Sequence, residues 1–209
     1  MLFEKAATLR TLAAIASVLL LSACSSGVIR VTPASRRPVT STPFPSYSEA
    51  AARLRPCDRI STSQLSSIVR RPVHIDEVGD IGQRPVLSTG VVLPKVWVAT
   101  CNWIVGNDTT LAPYLQLELA PDAAGAREEF NAQRTKMGIT NPVAHVRGYG
   151  QQAVFNTDRY GDAVIIVLQG SEVITVEVTD TSKRAPSAAS RMRMARATAK
   201  IILKRQQHQ

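Results

Sequence analysis

The chain has 209 residues, of which 44% are hydrophobic and 20% are charged, and its formal net charge at pH 7 is +9. This balance is typical of a globular protein and excludes wholesale disorder, and the lack of a Gly-X-Y period or a long heptad run excludes collagen and an extended coiled coil. The longest apolar run, from Leu12 to Leu21, is too short for a permanent bilayer span.

Residues 1–23 have the organisation of a bacterial export signal. Lys5 and Arg10 supply a positive N-terminal region, and the apolar run follows it. A Leu-Ser-Ala-Cys sequence that ends at Cys24 then matches the bacterial lipobox, in which small residues admit the signal peptidase and the cysteine thiol receives a diacylglycerol. We therefore predict a cleaved signal peptide and a lipidated N-terminal Cys24. The alternatives are an ordinary signal peptide, with Cys24 present by chance, and an inserted helix.

Lipidation at Cys24 predicts where the protein is held. Each acyl CH₂ buried in a membrane contributes about 0.8 kcal/mol, and stable anchoring requires two chains. One diacylglyceryl cysteine carries both chains, so we expect an anchor in the cell membrane without a spanning segment. The folded part is then expected on the extracytoplasmic face, where nucleic acid is not an expected partner.

Residues 24–53 form the predicted linker. Several prolines lie there among many Ser and Thr residues, without apolar periodicity. Such a composition disfavours packing and favours extended, solvated backbone. We therefore place the folded domain at residues 54–205, followed by a short tail at residues 206–209.

The sequence contains three cysteines and three histidines. With Cys24 lipidated, Cys57 and Cys101 remain, and an even pair in an exported chain most often forms a disulfide. Closing this loop would stabilise the fold by about 4 kcal/mol in the chain-entropy model. A reactive thiol pair is the alternative, but the chain has no Cys-X-X-Cys motif. No histidine lies near either cysteine in sequence, so we expect no metal site and no cofactor.

The folded part begins with a predicted helix from Arg59 to Arg70, where apolar residues recur at helical spacing. Ser61, with Gln64 three residues later, forms a capping-box pattern at its start. The residues that follow the helix, 79–95, are rich in glycine and proline and are expected to be loop-like.

Two strands are predicted next. Val96–Val105 alternates between an apolar and a more polar set of side chains, and Cys101 lies in the apolar set that faces the core. A turn leads into Tyr114–Leu119, whose leucines are expected to face inward and whose Gln116 and Glu118 are expected to face outward.

A helix is predicted from Asp122 to about Met137, and Gly138 ends it. Three strands and a last helix follow: Gln152–Asn156, Ala163–Leu168, Val173–Val178 and Ser187–Arg205. Ala163–Leu168 shows no alternation, so we expect a central strand that is covered on both faces. The order α-β-β-α-β-β-β-α predicts a single α+β domain, in which helices flank an antiparallel sheet, with one disulfide.

The excess positive charge lies in the last predicted helix and the residues before it. Every charged residue from Lys183 to Arg205 is basic, whereas the rest of the mature chain is balanced. One face of the helix is apolar, and another face carries four cations at helical spacing: Arg193, Arg196, Lys200 and Lys204. We predict that these four contact an anionic surface, because each cation near anionic lipid contributes about 1 kcal/mol. The alternative is a basic face that is merely solvated.

No motif of a common catalytic site is present in the sequence. The chain lacks a Gly-X-Ser-X-Gly elbow, a His-Glu-X-X-His motif, a Walker loop and a Gly-X-Gly-X-X-Gly fingerprint. His74, His145 and His208 are scattered along the chain. Trp97 and Trp103 share one strand face, where core packing is the simpler interpretation and an aromatic pocket is the alternative. We therefore expect no catalytic activity.

Two local patterns carry a resemblance to a known family. A Pro-Cys dipeptide that ends at Cys57 precedes a short Ser/Thr-capped helix, and a Cys-X-Trp sequence that begins at Cys101 lies in a following strand. Together with the lipobox and the linker, these patterns resemble an actinobacterial, mycobacterial-type family of lipoproteins with a domain of unknown function. The resemblance implies an exported, disulfide-pinned α+β domain.

Two functions fit these predictions. The first is a non-catalytic envelope lipoprotein that binds a lipid, a glycolipid or another hydrophobic ligand near the membrane, and it predicts an apolar cavity between the sheet and the helices. The second is an interaction or sensor module that recruits a membrane or cell-wall protein partner. That module is expected to have a filled core and an exposed binding face.

Overall fold

The computed structural model describes residues 42–84, 95–107, 111–139, 147–157, 162–180 and 186–206. The predicted signal peptide, the lipidation site at Cys24 and most of the predicted linker lie outside these residues, as do His145 and His208. Those predictions remain predictions.

Five helices and six strands lie within the described ranges. In chain order they are α1 (Tyr47–Arg53), α2 (Pro56–Arg59), α3 (Thr62–Val69), β1 (Val73–Gln83), β2 (Trp97–Val105), β3 (Leu111–Leu119), α4 (Ala123–Lys136), β4 (Gln152–Thr157), β5 (Ala163–Gln169), β6 (Glu172–Asp180) and α5 (Ala188–Gln206).

The strands build one antiparallel sheet in the order β1-β2-β3-β6-β5-β4. Helices α2, α3 and α5 pack on one face of it, and α4 packs on the other. This architecture confirms the predicted α+β class, with helices that flank an antiparallel sheet. The predicted order of elements is matched from α3 onward, apart from β1, which the sequence did not predict.

Strand β1 extends into the residues that were expected to form a loop, so that expectation is wrong for residues 79–83. The pairing of β1 with β2 shifts register between Gly79 and Gly82. A Cβ atom at Gly79 would lie 2.1 Å from the Thr100 Oγ1 atom, so any larger residue there would force the Thr100 side chain to move. Because β1 is an edge strand with mostly exposed side chains, its sequence also lacks the alternation that marks a half-buried strand.

Helix α1 lies inside the predicted linker. Its capping box joins the Glu49 backbone N–H to the Ser46 hydroxyl and the Ser46 backbone N–H to the Glu49 carboxylate. Ala50 is fully buried, and the Trp97 indole N–H donates to the Pro45 carbonyl at 2.8 Å. The packed part of the chain therefore begins before the predicted boundary at residue 54, because a capped helix and its contacts follow the prolines.

The disulfide joins α2 to β2. Cys57 and Cys101 are 44 residues apart in sequence, and their Cα atoms are 5.4 Å apart. As the alternation of β2 predicts, Cys101 and Trp103 are buried on the face of the sheet that carries α2, α3 and α5. The predicted disulfide is confirmed.

Helix α4 covers part of the opposite face. Asp122 caps it by accepting a hydrogen bond from the Gly125 backbone N–H at 2.8 Å. Ala126 and Phe130 are buried in an apolar cluster that includes Ile166 of β5. Strand β5 is buried on both faces, as its uninterrupted apolar sequence predicts.

The prediction that Glu118 faces outward is wrong. Glu118 does point away from the leucines of β3, but α4 covers that side, and only 1% of Glu118 is exposed. Arg84 forms ion pairs with Glu118 and with Glu129 of α4, and Gln133 donates to Glu118 at 2.8 Å. A buried carboxylate requires partners of this kind, and here they come from segments distant in sequence.

Candidate anion-binding cleft

Helix α5 buries one face and leaves another free. Ala195, Ala199 and Ile202 of the predicted apolar stripe are fully buried, whereas Ala188 at the start of the stripe is exposed because it precedes the part of α5 that packs on the sheet. The four cations predicted on the other face are all exposed: Arg193, Arg196, Lys200 and Lys204. Their exposure follows from the spacing, since residues three or four apart share one side of a helix.

Three of these four cations line one cleft of about 580 Å³. The cleft lies between α5 and the chain that enters and forms β4. Its lining combines four cations with two aromatic rings and one alanine: Arg147, Tyr149, Phe155, Arg193, Arg196, Ala197 and Lys200. Lys204 is not part of this lining, so the structure separates it from the other three predicted cations.

The two aromatic rings orient the cations of α5. Tyr149 and Phe155 meet edge to face, with 5.0 Å between their ring centroids. The Arg196 guanidinium carbon lies 4.8 Å from the Phe155 centroid, and Lys200 Nζ lies 5.5 Å from the Tyr149 centroid. Such cation–π contacts contribute about 0.5–1 kcal/mol at exposed sites. They also restrict where two long, flexible side chains point.

Tyr149 is itself held firmly. It is buried, and its hydroxyl donates a hydrogen bond to the Arg196 carbonyl at 3.3 Å. The next residue, Gly150, has a φ of +63°, and a Cβ atom there would lie 2.6 Å from the Leu168 carbonyl oxygen, so only glycine fits. Burial raises the pKa of Tyr149 above its ordinary value, so the hydroxyl keeps the proton that this hydrogen bond uses.

Positive charge is concentrated in the cleft, and no carboxylate of the described residues pairs with it. None of its four cations forms an ion pair within the described parts of the chain. By contrast, Arg53 and Arg59 both pair with Glu172, at 3.0 and 3.7 Å. Unpaired guanidinium groups that converge are suited to phosphate or carboxylate, because arginine presents a planar fork of N–H donors. The arrangement can therefore bind an anion.

Half of the cleft was not predicted from the sequence. The sequence patterns gave no role to Arg147, Tyr149 or Phe155. In the structure Gly148 and Gly150 have φ values of +83° and +63°, and the turn that they form fixes the position of the Tyr149 ring between them. The available signal was an aromatic residue between two glycines, next to an arginine.

The remaining candidate residues that the structure describes belong to the core or to the disulfide. Cys57 and Cys101 are joined to each other, and Trp97 and Trp103 are buried in the core, as the simpler interpretation of their shared face predicts. Among the described residues, no group of three or more His, Cys, Asp or Glu side chains is arranged to hold a metal ion. In the same ranges, no helix has the length and apolar character needed to cross a membrane.

No family model and no curated protein matches the chain. Among solved structures, the extracellular domain of PknH from Mycobacterium tuberculosis, known from a crystal structure, is similar to this chain. The sequences are 10% identical, the TM-score is 0.45, and the match covers 78% of this chain and 99% of that chain. A likeness this distant carries no function from one protein to the other. The resemblance to the actinobacterial lipoprotein family stays a prediction.

Proposed function

We propose that the chain is a non-catalytic lipoprotein of the cell envelope, whose folded domain binds the anionic headgroup of a lipid or glycolipid in the α5 cleft. One observation carries the proposal: four cations without ion-pair partners among the described residues converge with two aromatic rings in one cleft of about 580 Å³. That volume lies within the range of about 300–1,000 Å³ that is usual for small-molecule sites.

The packing beneath α5 favours a headgroup over an acyl chain as the part that is recognised. Large side chains fill this face of the sheet, and Trp103, Leu115 and Ile165 are each almost completely buried there. A bound acyl chain would need apolar space that these side chains occupy at close packing. A headgroup instead offers the phosphate or carboxylate that the cleft's donors match.

Two features support the proposed compartment and attachment. The lipobox that ends at Cys24 predicts a lipid anchor outside the cytoplasm, and the Cys57–Cys101 disulfide is typical of an oxidising compartment. An anchored domain meets headgroups at high effective concentration, so weak contacts are sufficient. Because each cation contributes about 1 kcal/mol near an anionic surface, the cleft would orient the domain on its membrane.

A protein-interaction or sensor module remains the second candidate, and the edge strand β1 favours it. Ile75 and Val78 on this strand are 44% and 59% exposed, although side chains of this type are usually buried. An exposed edge strand can accept a further strand from a partner. In this reading, an extended segment of an envelope protein would pair with β1.

Vesicle binding tests the proposed function. The mature chain carrying Cys24→Ser should sediment with vesicles that contain phosphatidylglycerol and should not sediment with phosphatidylcholine alone. Reversing three cleft cations together (Arg193→Glu, Arg196→Glu and Lys200→Glu) should weaken this binding at least tenfold, since about 1 kcal/mol is lost per cation. If the chain that carries only Cys24→Ser does not bind vesicles containing phosphatidylglycerol, the headgroup proposal is wrong.

A matched pair of single variants separates the cleft from general surface charge. Lys200→Glu and Lys204→Glu make the same charge change one helical turn apart on α5, but only Lys200 lines the cleft. We expect Lys200→Glu to weaken vesicle binding clearly more than Lys204→Glu. Equal losses would show that the basic helix acts as a diffuse charge and that the cleft is not the site.

A further inference from the structure

A second cleft lies on the opposite face of the sheet, and most of the residues that line it have polar side chains. Helix α4 packs over β5 and β6, and beside its C-terminal half a cleft of about 390 Å³ remains over β2, β3 and β6. Its polar lining includes Asn102, Tyr114, Gln116, Gln133, Thr175 and Glu177. These strand residues form cross-strand rows, because Tyr114 lies opposite both Asn102 and Glu177, and Gln116 lies opposite Thr175.

The side chains of this cleft are held in place by one another. The Tyr114 hydroxyl donates to Gln116 Oε1 at 2.6 Å, and Gln116 Nε2 donates to Glu118 Oε1 at 2.7 Å. Gln133 Nε2 donates to the same Glu118 oxygen at 2.8 Å, and Arg84 fixes Glu118 from below. A chain of hydrogen bonds that ends on a buried ion pair is rigid before any ligand arrives, which lowers the entropic cost of binding.

One hydroxyl in the cleft has no partner. Thr175 is 1% exposed, and its Oγ1 atom makes no hydrogen bond within the described residues. Buried hydroxyl groups are nearly always hydrogen-bonded, because leaving one unpaired is costly. Thr175 lines the cleft, but its Oγ1 atom is shielded from solvent, so a ligand would become its partner by displacing a neighbouring side chain.

The chemistry of the lining defines the ligand class. With its proton donated to Gln116, the Tyr114 oxygen offers lone pairs to the cleft, and the amide oxygen of Gln133 is an acceptor of the same kind. Thr175 and Lys136 add donors and Glu177 adds a carboxylate, so the formal charges of the lining residues sum to zero. Mixed donors and acceptors without a net charge match a molecule rich in hydroxyl groups, each of which donates and accepts.

We propose that this polar cleft, between the C-terminal half of α4 and strands β2, β3 and β6, is a binding site for a neutral saccharide. The buried Thr175 hydroxyl and the fixed Tyr114–Gln116 pair are its specificity-determining groups. The site lies on the other face of the sheet from the α5 cleft, so it does not depend on the headgroup proposal. A domain with both sites would bind a carbohydrate of the envelope while the α5 cleft faces headgroups.

Saturation-transfer NMR with defined trisaccharides tests the site. The mature chain with Cys24→Ser is mixed in turn with chitotriose, maltotriose, mannotriose and the anionic tri-galacturonate. We expect transfer from at least one neutral trisaccharide and weaker transfer from tri-galacturonate, because a lining without a net positive charge does not offset the cost of desolvating three carboxylates. Absence of transfer from all three neutral probes, or transfer from tri-galacturonate alone, overturns the proposal.

The variant Thr175→Val assigns the binding to this cleft. It keeps the shape and removes an unpaired hydroxyl, so thermal stability should not fall. The Kd for the bound trisaccharide should rise about tenfold, which corresponds to about 1.4 kcal/mol.

Tyr114→Phe is the second variant and should raise the Kd about threefold, because one neutral hydrogen bond is lost. Arg196→Glu, in the other cleft, should leave Kd unchanged. An unchanged Kd in both Thr175→Val and Tyr114→Phe overturns the proposal.

Discussion

The two faces of the sheet are closed by different chemistry. Beneath α5 the packing is apolar, and the Cys57–Cys101 disulfide joins helix to strand. Beneath α4 an apolar cluster gives way to a buried network in which Arg84 pairs with two glutamates. On the first face the arginines of the α5 cleft are exposed and form no ion pair with the described residues, whereas on the second face Arg84 is neutralised in the interior. Carboxylate partners therefore distinguish a structural arginine from one that is available to a ligand.

The disulfide should show the largest effect on stability. Replacing both cysteines (Cys57→Ala with Cys101→Ala) should lower the free energy of unfolding by about 4 kcal/mol, because the denatured chain regains the entropy of a 44-residue loop. Urea denaturation followed by circular dichroism measures this loss. Reduction of the unaltered protein is the control and should reproduce it. Equal stability of the two forms would mean that the α5 face does not depend on its covalent bond.

The ion pairs of Arg84 with Glu118 and Glu129 should show the second-largest effect on stability. Arg84→Met removes the cation between Glu118 and Glu129 and leaves two buried carboxylates without compensation. Removing one member of a buried ion pair costs about 3–5 kcal/mol, and we expect about 3 because Arg84 is itself slightly exposed. The same chemical change at Arg196 is the matched control and should lower the free energy of unfolding by no more than about 1 kcal/mol, because that side chain is exposed and loses only its cation–π contact with Phe155. Similar losses at both positions would refute the contrast between the two faces.

The smallest expected effect is a loss of stability at alkaline pH. Burial, with a smaller contribution from Glu177, raises the pKa of Tyr114 to about 12. The pKa of an unfolded tyrosine is about 10, so the stabilisation from neutral Tyr114 is complete below that pH and is lost as the pH rises toward 12. Absorbance titration at alkaline pH should show a late-titrating tyrosine that is missing in Tyr114→Phe. A late phase of unchanged amplitude in this variant would contradict the assignment.

The sequence predicts well those features that depend on local pattern. The alternation of β2 predicted the face of Cys101, and the Ser61–Gln64 spacing predicted the cap of α3, where the Ser61 backbone N–H donates to Gln64 Oε1 at 3.1 Å. The apolar stripe and basic face of α5 follow from helical spacing in the same way. In each case the residues that decide the outcome lie within a few positions of one another.

Features that depend on contacts between residues distant in sequence cannot be predicted from local pattern. Glu118 has the pattern of an outward residue, and nothing near it indicates that α4 and Arg84 will cover it. Gly79 resembles a loop residue until the approach of Thr100 from the neighbouring strand is known. The α5 cleft likewise requires Tyr149, whose hydroxyl meets a carbonyl 47 residues further along the chain. Only the fold brings these groups together.

The contacts around Trp97 have a mechanical consequence. Phe44 stacks on its ring with 5.8 Å between centroids, Tyr47 meets it edge-on at 5.7 Å, and the chain then enters α1 and reaches Cys57. A pull from the N-terminal side against a ligand held at α5 would first peel these rings away and then unravel α1. Tension would then pass through the disulfide from Cys57 to Cys101. Because α3 and β1 lie between these two cysteines in sequence, they would carry none of it. Such a pull would therefore extend the segment before Cys57 before it loads the sheet, and the Cys57–Cys101 disulfide marks where that extension would stop.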